Sequence, residues 1–402
     1  MKQVYIIDYI RTPIAKFQGG LSEVRADDLA AIVLKEIVKR NPQIPAEEIE
    51  DVILGCANQA GEDNRNVARM ASLLAELPIK IGGETVNRLC ASGMAAIANA
   101  YRAIAIGEGD FYIAGGVEQM TRAPYVLSKS AQPFGRDVQL FDSSFGWRFV
   151  NPKMKELYGV DGMGETAENI AEIYKISREA QDEFALHSQQ KATSAQNSGR
   201  LAQEIVKVEI PQKKGEPKIF SEDEFVKPDT TLDKLAKLRP AFKKEGGSVT
   251  AGNSSGLNDG AAAMILASED AVKKYNLKPL AKIISSAVVG VEPRIMGIGP
   301  VEATKKALSR ANLSLEDMDI IELNEAFAAQ ALSVLQELGI DAKDERLNPN
   351  GGAIALGHPL GMSGTRIVGT AALELQKNNK KYALCTLCIG VGQGYAMIIE
   401  KI

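Results

Sequence analysis

The order of apolar and polar residues along the chain predicts alternating strands and helices. Three short apolar runs indicate buried strands, at residues 4–7, 52–55 and 111–116. Residues 27–39 place apolar side chains at helical spacing, with Asp27 or Asp28 available as a cap, and the small, apolar residues 95–106 predict a second helix. This alternation is typical of an α/β fold in which helices cover the sheet.

The same pattern returns near the end of the chain. Residues 44–54 are echoed by residues 313–323, and the Ser-Gly pair at 92–93 before one helix is echoed by Ser-Gly at 363–364 before another. The two echoes have nearly the same separation along the chain. They therefore predict two copies of one α/β unit.

The stretch between the copies differs in composition. It contains the single tryptophan, Trp147, several prolines and a polar helical pattern from 177 to 198. Insertions between sheet elements usually lie on the surface and carry recognition. We therefore predict an inserted loop domain at residues 121–248, a first half made of residues 1–120 and 249–275, and a second half at residues 276–402.

Composition and charge narrow the class of protein. The 402 residues include 47 Lys and Arg and 51 Asp and Glu, a net charge of −4, which argues against a nucleic-acid binder because such proteins carry a basic excess. No apolar run approaches the ~20 residues of a membrane span, and the first residues lack the features of a signal peptide. Four cysteines are too few for a disulfide scaffold in so long a chain. We expect a soluble, cytoplasmic protein with no membrane partner.

Only two histidines offer an imidazole base. His187 lies in a polar helical pattern and is interpreted as a surface or packing residue. His358 has five glycines around it within residues 350–364, which let the backbone approach a ligand closely, and Pro359 restricts its conformation. From the residue types alone, His358 can be either a structural residue of a turn or a catalytic base.

The cysteines suggest two thiols with different tasks. Cys90 directly precedes the small-residue helix, where free amides and the helix dipole favour a thiolate and lower the thiol pKa; a buried, inert cysteine is the alternative. Cys385 and Cys388 form a Cys-x-x-Cys pair, but further zinc ligands are missing and Ile389 leads into glycines rather than a helix. We interpret Cys385 as structural and Cys388 as an acid/base thiol, and we expect no metal.

Asn324 follows the strand-like pair at residues 320–321. The end of a strand is the usual edge of an α/β active site, although an isolated asparagine is more often a turn or cap residue. From the sequence alone, Asn324 is therefore a candidate active-site residue, with a turn or cap residue as the alternative.

Five motifs, taken together, resemble the thiolase family along essentially the whole chain. They are NRLCASG at 87–93, TAGNSSGLNDG at 250–260, NEAFA at 324–328, GHP at 357–359 and CIG at 388–390. The resemblance implies a duplicated five-layer α/β/α/β/α fold with an inserted loop domain that binds coenzyme A (CoA). It also implies a homodimer or homotetramer.

The resemblance also implies a role for each candidate. Cys90 resembles the nucleophile that takes the acyl group, His358 the base that activates it, and Cys388 the second thiol that exchanges a proton with the α-carbon of the substrate. Asn324, through a water and beside His358, would hold the enolate oxygen. The backbone amides of Cys90 and Gly390 would form a second oxyanion hole.

The family binds CoA as a co-substrate and holds no permanent cofactor. The residues expected beside CoA are Met163, Lys227, Ala251, Ser255, Gly256 and Leu257. Residues 162–164 read Gly-Met-Gly where many acetoacetyl-specific members have His-Met-Gly, so one histidine contact to the ligand is absent.

The substrate class follows from the same resemblance. Residues 145–169 are similar to degradative members acting on 3-oxoadipyl-CoA, and Arg122, Arg136 and Arg148 are candidates to pair with a terminal carboxylate, with surface charge the simpler explanation for at least two of them. We expect a 3-ketoacyl-CoA thiolase working through an acyl-cysteine, with dicarboxylic acyl chains among its substrates. An acetyl-CoA acetyltransferase and a non-catalytic acyl-CoA-binding or lipid-binding relative stay open as alternatives.

Overall fold

The protein is described here by a computed structural model that covers residues 2–402. Its strands are β1 Val4–Arg11, β2 Ala15–Lys16, β3 Ile49–Gly55, β4 Glu84–Val86, β5 Phe111–Gln119, β6 Tyr125–Leu127, β7 Leu140–Asp142, β8 Val208–Ile210, β9 Lys218–Phe220, β10 Asn258–Ser268, β11 Ala281–Gly290, β12 Ile320–Leu323, β13 Tyr382–Ile389 and β14 Gln393–Lys401. Its helices are α1 Ala26–Arg40, α2 Val67–Leu74, α3 Ser92–Ile106, α4 Pro152–Tyr158, α5 Met163–Ile173, α6 Arg178–Asn197, α7 Leu232–Ala236, α8 Glu269–Lys274, α9 Gly299–Ala311, α10 Ala328–Leu338, α11 Ala353–Leu356 and α12 Leu360–Lys377.

The strand order repeats the same arrangement twice. Ten strands are hydrogen-bonded in the order β12-β13-β14-β11-β1-β10-β5-β3-β4, with β2 pairing to β10. The run β1-β10-β5-β3 has antiparallel, antiparallel and parallel pairs, and the run β11-β14-β13-β12 has the same three in the same order. The halves meet where β1 pairs with β11, at Tyr5 with Lys282 and at Ile6 with Ala281.

The helices form three layers around the two halves of this sheet. Helices α3 and α12 pack against each other; α3 lies on strands of the first half and α12 on strands of both. Helices α1 and α2 contact the first half, and α9 contacts the second. Each of the three helix layers packs on the strands through its own apolar cluster, and the central cluster reaches both halves of the sheet. All eleven residues of β10 are buried, as expected of a strand with helices on both faces. The expected duplicated five-layer α/β/α/β/α fold is confirmed.

The Ser-Gly echo marks where the two central helices cross. A Cβ added at Gly93 would lie 2.7 Å from the carbonyl oxygen of Gly361, and one at Gly364 would lie 2.3 Å from the amide nitrogen of Met94. Only glycine permits such a close approach of two backbones. The first of these helices lies within Leu89–Ile106, a stretch apolar enough to cross a membrane by composition, but 61% of it is buried inside the fold.

The residues between β5 and β10 include α4 to α7 and two hairpins, β6-β7 and β8-β9. They are attached to the first half by a buried ion network, in which Arg11 lies 2.6 Å from a carboxylate oxygen of Glu204 and 2.7 Å from one of Asp223. They are attached to the second half because α6 packs on α10 and α11. The insert therefore spans both halves.

One predicted detail of the first helix is wrong. Helix α1 begins at Ala26 with Arg25 at the N-cap, so neither Asp27 nor Asp28 caps it. Asp27 instead accepts a hydrogen bond from Nε of Arg25 at 2.9 Å. Both aspartates stay in the first turn, where the helix dipole favours negative charge.

Candidate active site

A cavity of ≈ 370 Å³ is lined by residues of both halves and of the insert. Cys90 comes from the turn before α3, His358 from the turn before α12, and Cys388 and Gly390 from the end of β13. The structure thus brings four of the five expected catalytic residues to one cavity. The fifth, Asn324, is buried directly behind His358.

Cys90 lies in a tight turn, Leu89–Ala91, that runs into the buried helix α3. Leu89 has a φ of 47°, in the left-handed region that side chains rarely occupy. Strained backbone of this kind clusters at functional sites. The backbone amides of Gly390 and of Cys90 itself lie near the Cys90 sulfur and favour its thiolate.

The predicted lowering of the Cys90 pKa is wrong in its net direction. Burial raises the pKa of the Cys90 thiol to about 11, and the amides of Gly390 and Cys90 offset only part of that effect. The sequence shows the helix terminus but not the burial, which disfavours the thiolate more strongly. The resting sulfur is therefore a thiol that must lose its proton during the reaction.

His358 is fixed by two side chains. Its backbone amide donates to Oδ1 of Asn258 at 2.9 Å, and its Nδ1 lies 2.6 Å from Oγ of Ser363. The single hydroxyl proton of Ser363 is donated to the carbonyl of Pro359 at 2.8 Å. The serine oxygen must then accept from Nδ1–H, which leaves Nε2 of the neutral ring unprotonated.

The electrostatics keep His358 neutral. Burial, helped by the positive charge of Arg366, lowers the pKa of His358 to about 3. At neutral pH a neutral imidazole therefore faces the cavity together with a protonated Cys90. Without substrate, proton transfer from the Cys90 sulfur to Nε2 of His358 is therefore unfavourable. It becomes possible when the sulfur attacks and the negative charge passes to an oxygen of the substrate.

Asn324 links the strand edge to the imidazole. It follows β12 directly, its backbone amide donates to Thr386, and its Nδ2 lies 3.3 Å from Nε2 of His358. Its Oδ1 is buried and has no hydrogen-bond partner among residues 2–402. An orphaned buried acceptor is costly unless a donor arrives, so this oxygen is suited to a water or a substrate hydroxyl.

The second thiol is separated from the structural one by the alternation of β13. Cys388 lies beside the cavity with an apolar cluster behind it that includes Met163, Met296 and Phe327. Burial, and then the nearby Cys90, raise the pKa of Cys388 far above its usual range, so it stays protonated. Cys385 faces the central core instead, which agrees with its interpretation as structural.

Sequence reasoning missed three residues of this site: Asn258, Ser363 and Glu118. Glu118 lines the cavity, and its carboxylate accepts the backbone amides of Ala57, Asn58 and Gly361 at 2.8–3.0 Å. Burial raises the pKa of Glu118 to about 7 against the pull of these amides. The signal in the sequence is a carboxylate at the end of the mostly apolar strand β5.

Glu118 also meets Cys56 and Asp63, and the three offer ligand atoms within 4.8 Å of one another. The oxygens of Asp63 already accept the amides of Gln59 and Gly61, as those of Glu118 accept three others. Backbone amides therefore already occupy the oxygens of both carboxylates. The two carboxylates hold the loop after β3 in place.

The residues expected beside CoA divide into two groups. Met163, Ser255, Gly256 and Leu257 line the cavity. Lys227 lines a separate surface groove along α6 with its ammonium over the ring of Phe225, and Ala251 is exposed outside the cavity wall. His187 is half-buried on α6, away from the lining residues.

Comparison with known families decides what kind of site this is. The model of the thiolase N-terminal domain matches residues 4–270, and that of the thiolase C-terminal domain matches residues 277–401. The chain belongs to the thiolase family. It is therefore an acyltransferase, and CoA is its co-substrate.

Individual thiolases match over their full length. A 3-oxoadipyl-CoA/3-oxo-5,6-dehydrosuberyl-CoA thiolase of Escherichia coli (strain K12) is 59% identical over 402 residues, which is 100% of each chain. The crystal structure of the Bacillus anthracis acetyl-CoA acetyltransferase superimposes with a TM-score of 0.93 at 42% identity, covering 100% of this chain and 99% of that one. Human mitochondrial 3-ketoacyl-CoA thiolase in complex with CoA gives 0.91 at 41% identity, with 100% and 98% coverage.

Proposed function

We propose that the chain catalyses thiolytic cleavage of a 3-ketoacyl-CoA into acetyl-CoA and an acyl-CoA shortened by two carbons. The observation that carries the proposal is that Cys90, His358, Cys388 and Gly390 line one cavity. Two thiols and a neutral imidazole supply the nucleophile, the base and the proton donor that carbon–carbon cleavage needs.

The first half-reaction transfers the acyl group to the enzyme. Sγ of Cys90 attacks the 3-keto carbon while Nε2 of His358 takes the thiol proton. The C2–C3 bond then breaks, its electron pair moves into the thioester enolate, and the thiol of Cys388 protonates the α-carbon so that acetyl-CoA leaves. A water held by Oδ1 of Asn324 donates to the enolate oxygen.

The second half-reaction returns the enzyme to its starting state. Cys388, now a thiolate, takes the proton of an incoming CoA thiol, and the CoA sulfur attacks the acyl carbon on Cys90. The amides of Cys90 and Gly390 stabilise the tetrahedral oxyanion; each such donor is typically worth on the order of 10²–10³ in rate. Cys90 leaves with the proton stored on His358.

We assign the pantetheine arm of CoA to the wall formed by Met163, Ser255, Gly256 and Leu257. These residues line the cavity, and both the amide and the hydroxyl of Ser255 donate to the carbonyl of Ala326. Contacts of Lys227 and Ala251 with the nucleotide end of CoA stay predictions.

The proposed substrate is 3-oxoadipyl-CoA, which would give acetyl-CoA and succinyl-CoA. The name of the full-length E. coli relative supports this choice. Condensation of two acetyl-CoA molecules, the reverse reaction on a shorter chain, is the second candidate, because the Bacillus anthracis structure bears the name acetyl-CoA acetyltransferase.

A substrate panel tests the proposal. Thiolysis of acetoacetyl-CoA, 3-oxohexanoyl-CoA and 3-oxoadipyl-CoA is measured with purified protein and free CoA, with Cys90→Ser as the inactive control. We expect the highest kcat/KM for 3-oxoadipyl-CoA. A strong preference for acetoacetyl-CoA would replace the proposal by the acetyltransferase, and no cleavage of any of the three would refute both.

We also propose a cytoplasmic homodimer or homotetramer. The hairpin β6-β7 and its loop expose large apolar side chains, namely Tyr125, Leu127, Phe134, Val138 and Leu140. Monomeric soluble proteins rarely expose such a contiguous patch. Light scattering on the eluting protein tests the proposal, and a monomer at micromolar concentration would contradict it.

A further inference from the structure

One segment of the insert, residues 143–148, lines the cavity that also holds the two thiols, and it forms a continuous wall there. The segment is held from both sides: Nδ2 of Asn58 donates to the carbonyl of Ser143 at 2.8 Å, and the indole of Trp147 donates to the carbonyl of Asp161 at 3.2 Å. Asp161 in turn pairs with Arg294 at 3.0 Å. The wall is therefore a defined surface rather than a loose loop.

Arg148 is the only Lys or Arg among the residues that line the cavity. The hydrogen bond of its guanidinium within residues 2–402 goes to the carbonyl of Ser143, at 3.3 Å from Nη1, and no carboxylate of the described chain forms an ion pair with it. Arg122 differs, since Glu62 lies 2.6 Å from its guanidinium, and the exposed Arg136 does not line the cavity. Of the three candidate arginines, Arg148 alone lines the cavity, and no carboxylate of the described residues pairs with it.

Gly162 lines the cavity between this wall and Met163. A Cβ at Gly162 would meet only the carboxylate of Glu165, at 3.4 Å and beyond, so the space in front of the backbone is open. Any larger side chain here would project into that space. The absence of a side chain at 162 leaves room for an acyl chain longer than an acetyl unit.

We infer that Arg148 and Gly162 form the acyl-tail subsite and that it takes a chain ending in a carboxylate. This inference rests on the proposed thiolase function and names what selects its substrate. The guanidinium of Arg148 pairs with both oxygens of the terminal carboxylate, and the open space at Gly162 accommodates the length of the acyl chain. The carboxylate takes no part in the chemistry, so it stays bound while the acyl group is on Cys90.

The test compares two substrates of equal length, 3-oxoadipyl-CoA and the uncharged 3-oxohexanoyl-CoA. We expect Arg148→Met to lower kcat/KM for 3-oxoadipyl-CoA on the order of 10–100-fold more than for 3-oxohexanoyl-CoA, because a charged hydrogen bond is lost. Arg148→Lys should recover part of the difference, and the ion-paired control Arg122→Met should leave the ratio of the two constants as in the wild type.

A second variant tests the length of the subsite. Gly162→Leu should reduce cleavage of both six-carbon substrates relative to acetoacetyl-CoA. If Arg148→Met lowers kcat/KM by the same factor for both six-carbon substrates, so that their ratio is unchanged, the carboxylate assignment is overturned. Wild-type protein that cleaves none of the three substrates would instead refute the proposed function, so the two failures are distinguishable.

Discussion

The two halves of the molecule place equivalent turns at the same centre and use them differently. In each half a buried helix starts beside the cavity, α3 after Cys90 and α12 after His358. The first turn presents a sulfur that two amides contact, whereas the second presents an imidazole that side chains orient. The duplicated framework therefore supplies position, and the residue at each turn supplies the chemistry.

The strand ends beneath these turns show the same contrast. The end of β5 provides the Glu118 carboxylate, which accepts the amide of Gly361 at the start of α12. Directly after β13 comes Gly390, whose backbone amide lies near the sulfur of Cys90 before α3. The strand end of each half thus lies at the start of the other half's helix. In the first half it holds backbone amides, and in the second it lies beside the reacting sulfur.

Removing the sulfur should have the largest effect. Cys90→Ser should reduce thiolysis by on the order of 10³-fold or more, because a serine hydroxyl without an activated base is a far poorer nucleophile. Melting temperature and circular dichroism should stay close to the wild type. Cys385→Ala, a change to a thiol in the central core, serves as the matched control, and a near-normal rate in Cys90→Ser would disprove the nucleophile.

The protonation state of the first half is tested by pH. Because the Cys90 pKa is about 11 and that of His358 about 3, the resting pair is neutral. Alkylation of Cys90 by iodoacetamide should therefore accelerate about tenfold per pH unit between pH 6 and pH 9, as the thiolate fraction grows. A rate that is flat over this range would show a thiolate–imidazolium pair instead.

The division of labour between the thiols predicts an unequal loss. Cys388→Ser should slow carbon–carbon cleavage by on the order of 10²-fold, since the proton donor to the α-carbon is weakened. Exchange of the acyl group between Cys90 and labelled CoA should fall less. Parallel losses in the two half-reactions would contradict the separate role of Cys388.

The orientation of the imidazole should matter less than its presence. Ser363→Ala removes the acceptor of the Nδ1 proton of His358 and should lower kcat about 10–100-fold, the usual cost of losing such a supporting contact. The acidic limb of the pH–rate profile, which reports the protonation of His358 as the base, should shift with it, and Ser363→Thr should restore both. A drop in melting temperature with an unchanged pH profile would assign the serine a purely structural role.

The smallest effect on chemistry should come from the opposite strand end. Both carboxylate oxygens of Glu118 accept backbone amides, and Glu118→Gln replaces one of these oxygens by an NH2 group, which can only donate. We therefore expect the free energy of unfolding to fall by about 1–3 kcal/mol. Urea denaturation measures it. Unchanged stability combined with lost thiolysis would mean that Glu118 acts on the substrate and not on the framework.

The sequence was informative wherever function depends on short, local patterns. The echoes at 44–54 and 313–323 lie on β3 and β12, and the turns that hold Cys90 and His358 could be found because glycines and small residues surround them. The boundaries proposed for the insert and the two halves stay predictions. The substrate class rested on resemblance, as sequence patterns do not encode the size of a cavity.

What the sequence could not give depends on distant contacts. Glu118 and Asn258 act on residues more than ninety positions away, Gly361 and His358 respectively. The raised pKa of Cys90 follows from burial, which only the packed structure determines. Lys227 lies within the insert but lines another groove, along α6, and sequence position alone does not show which groove a loop residue lines.

The most direct test is to trap the acyl group on the enzyme. The protein is mixed with 3-oxoadipyl-CoA in the absence of free CoA, quenched in acid and digested, and the peptides are analysed by mass spectrometry. A succinyl thioester on the peptide that contains Cys90, absent from Cys90→Ser and removed by added CoA, is the expected result. Release of acetyl-CoA without any adduct on Cys90, or an adduct on Cys388 instead, would contradict the account.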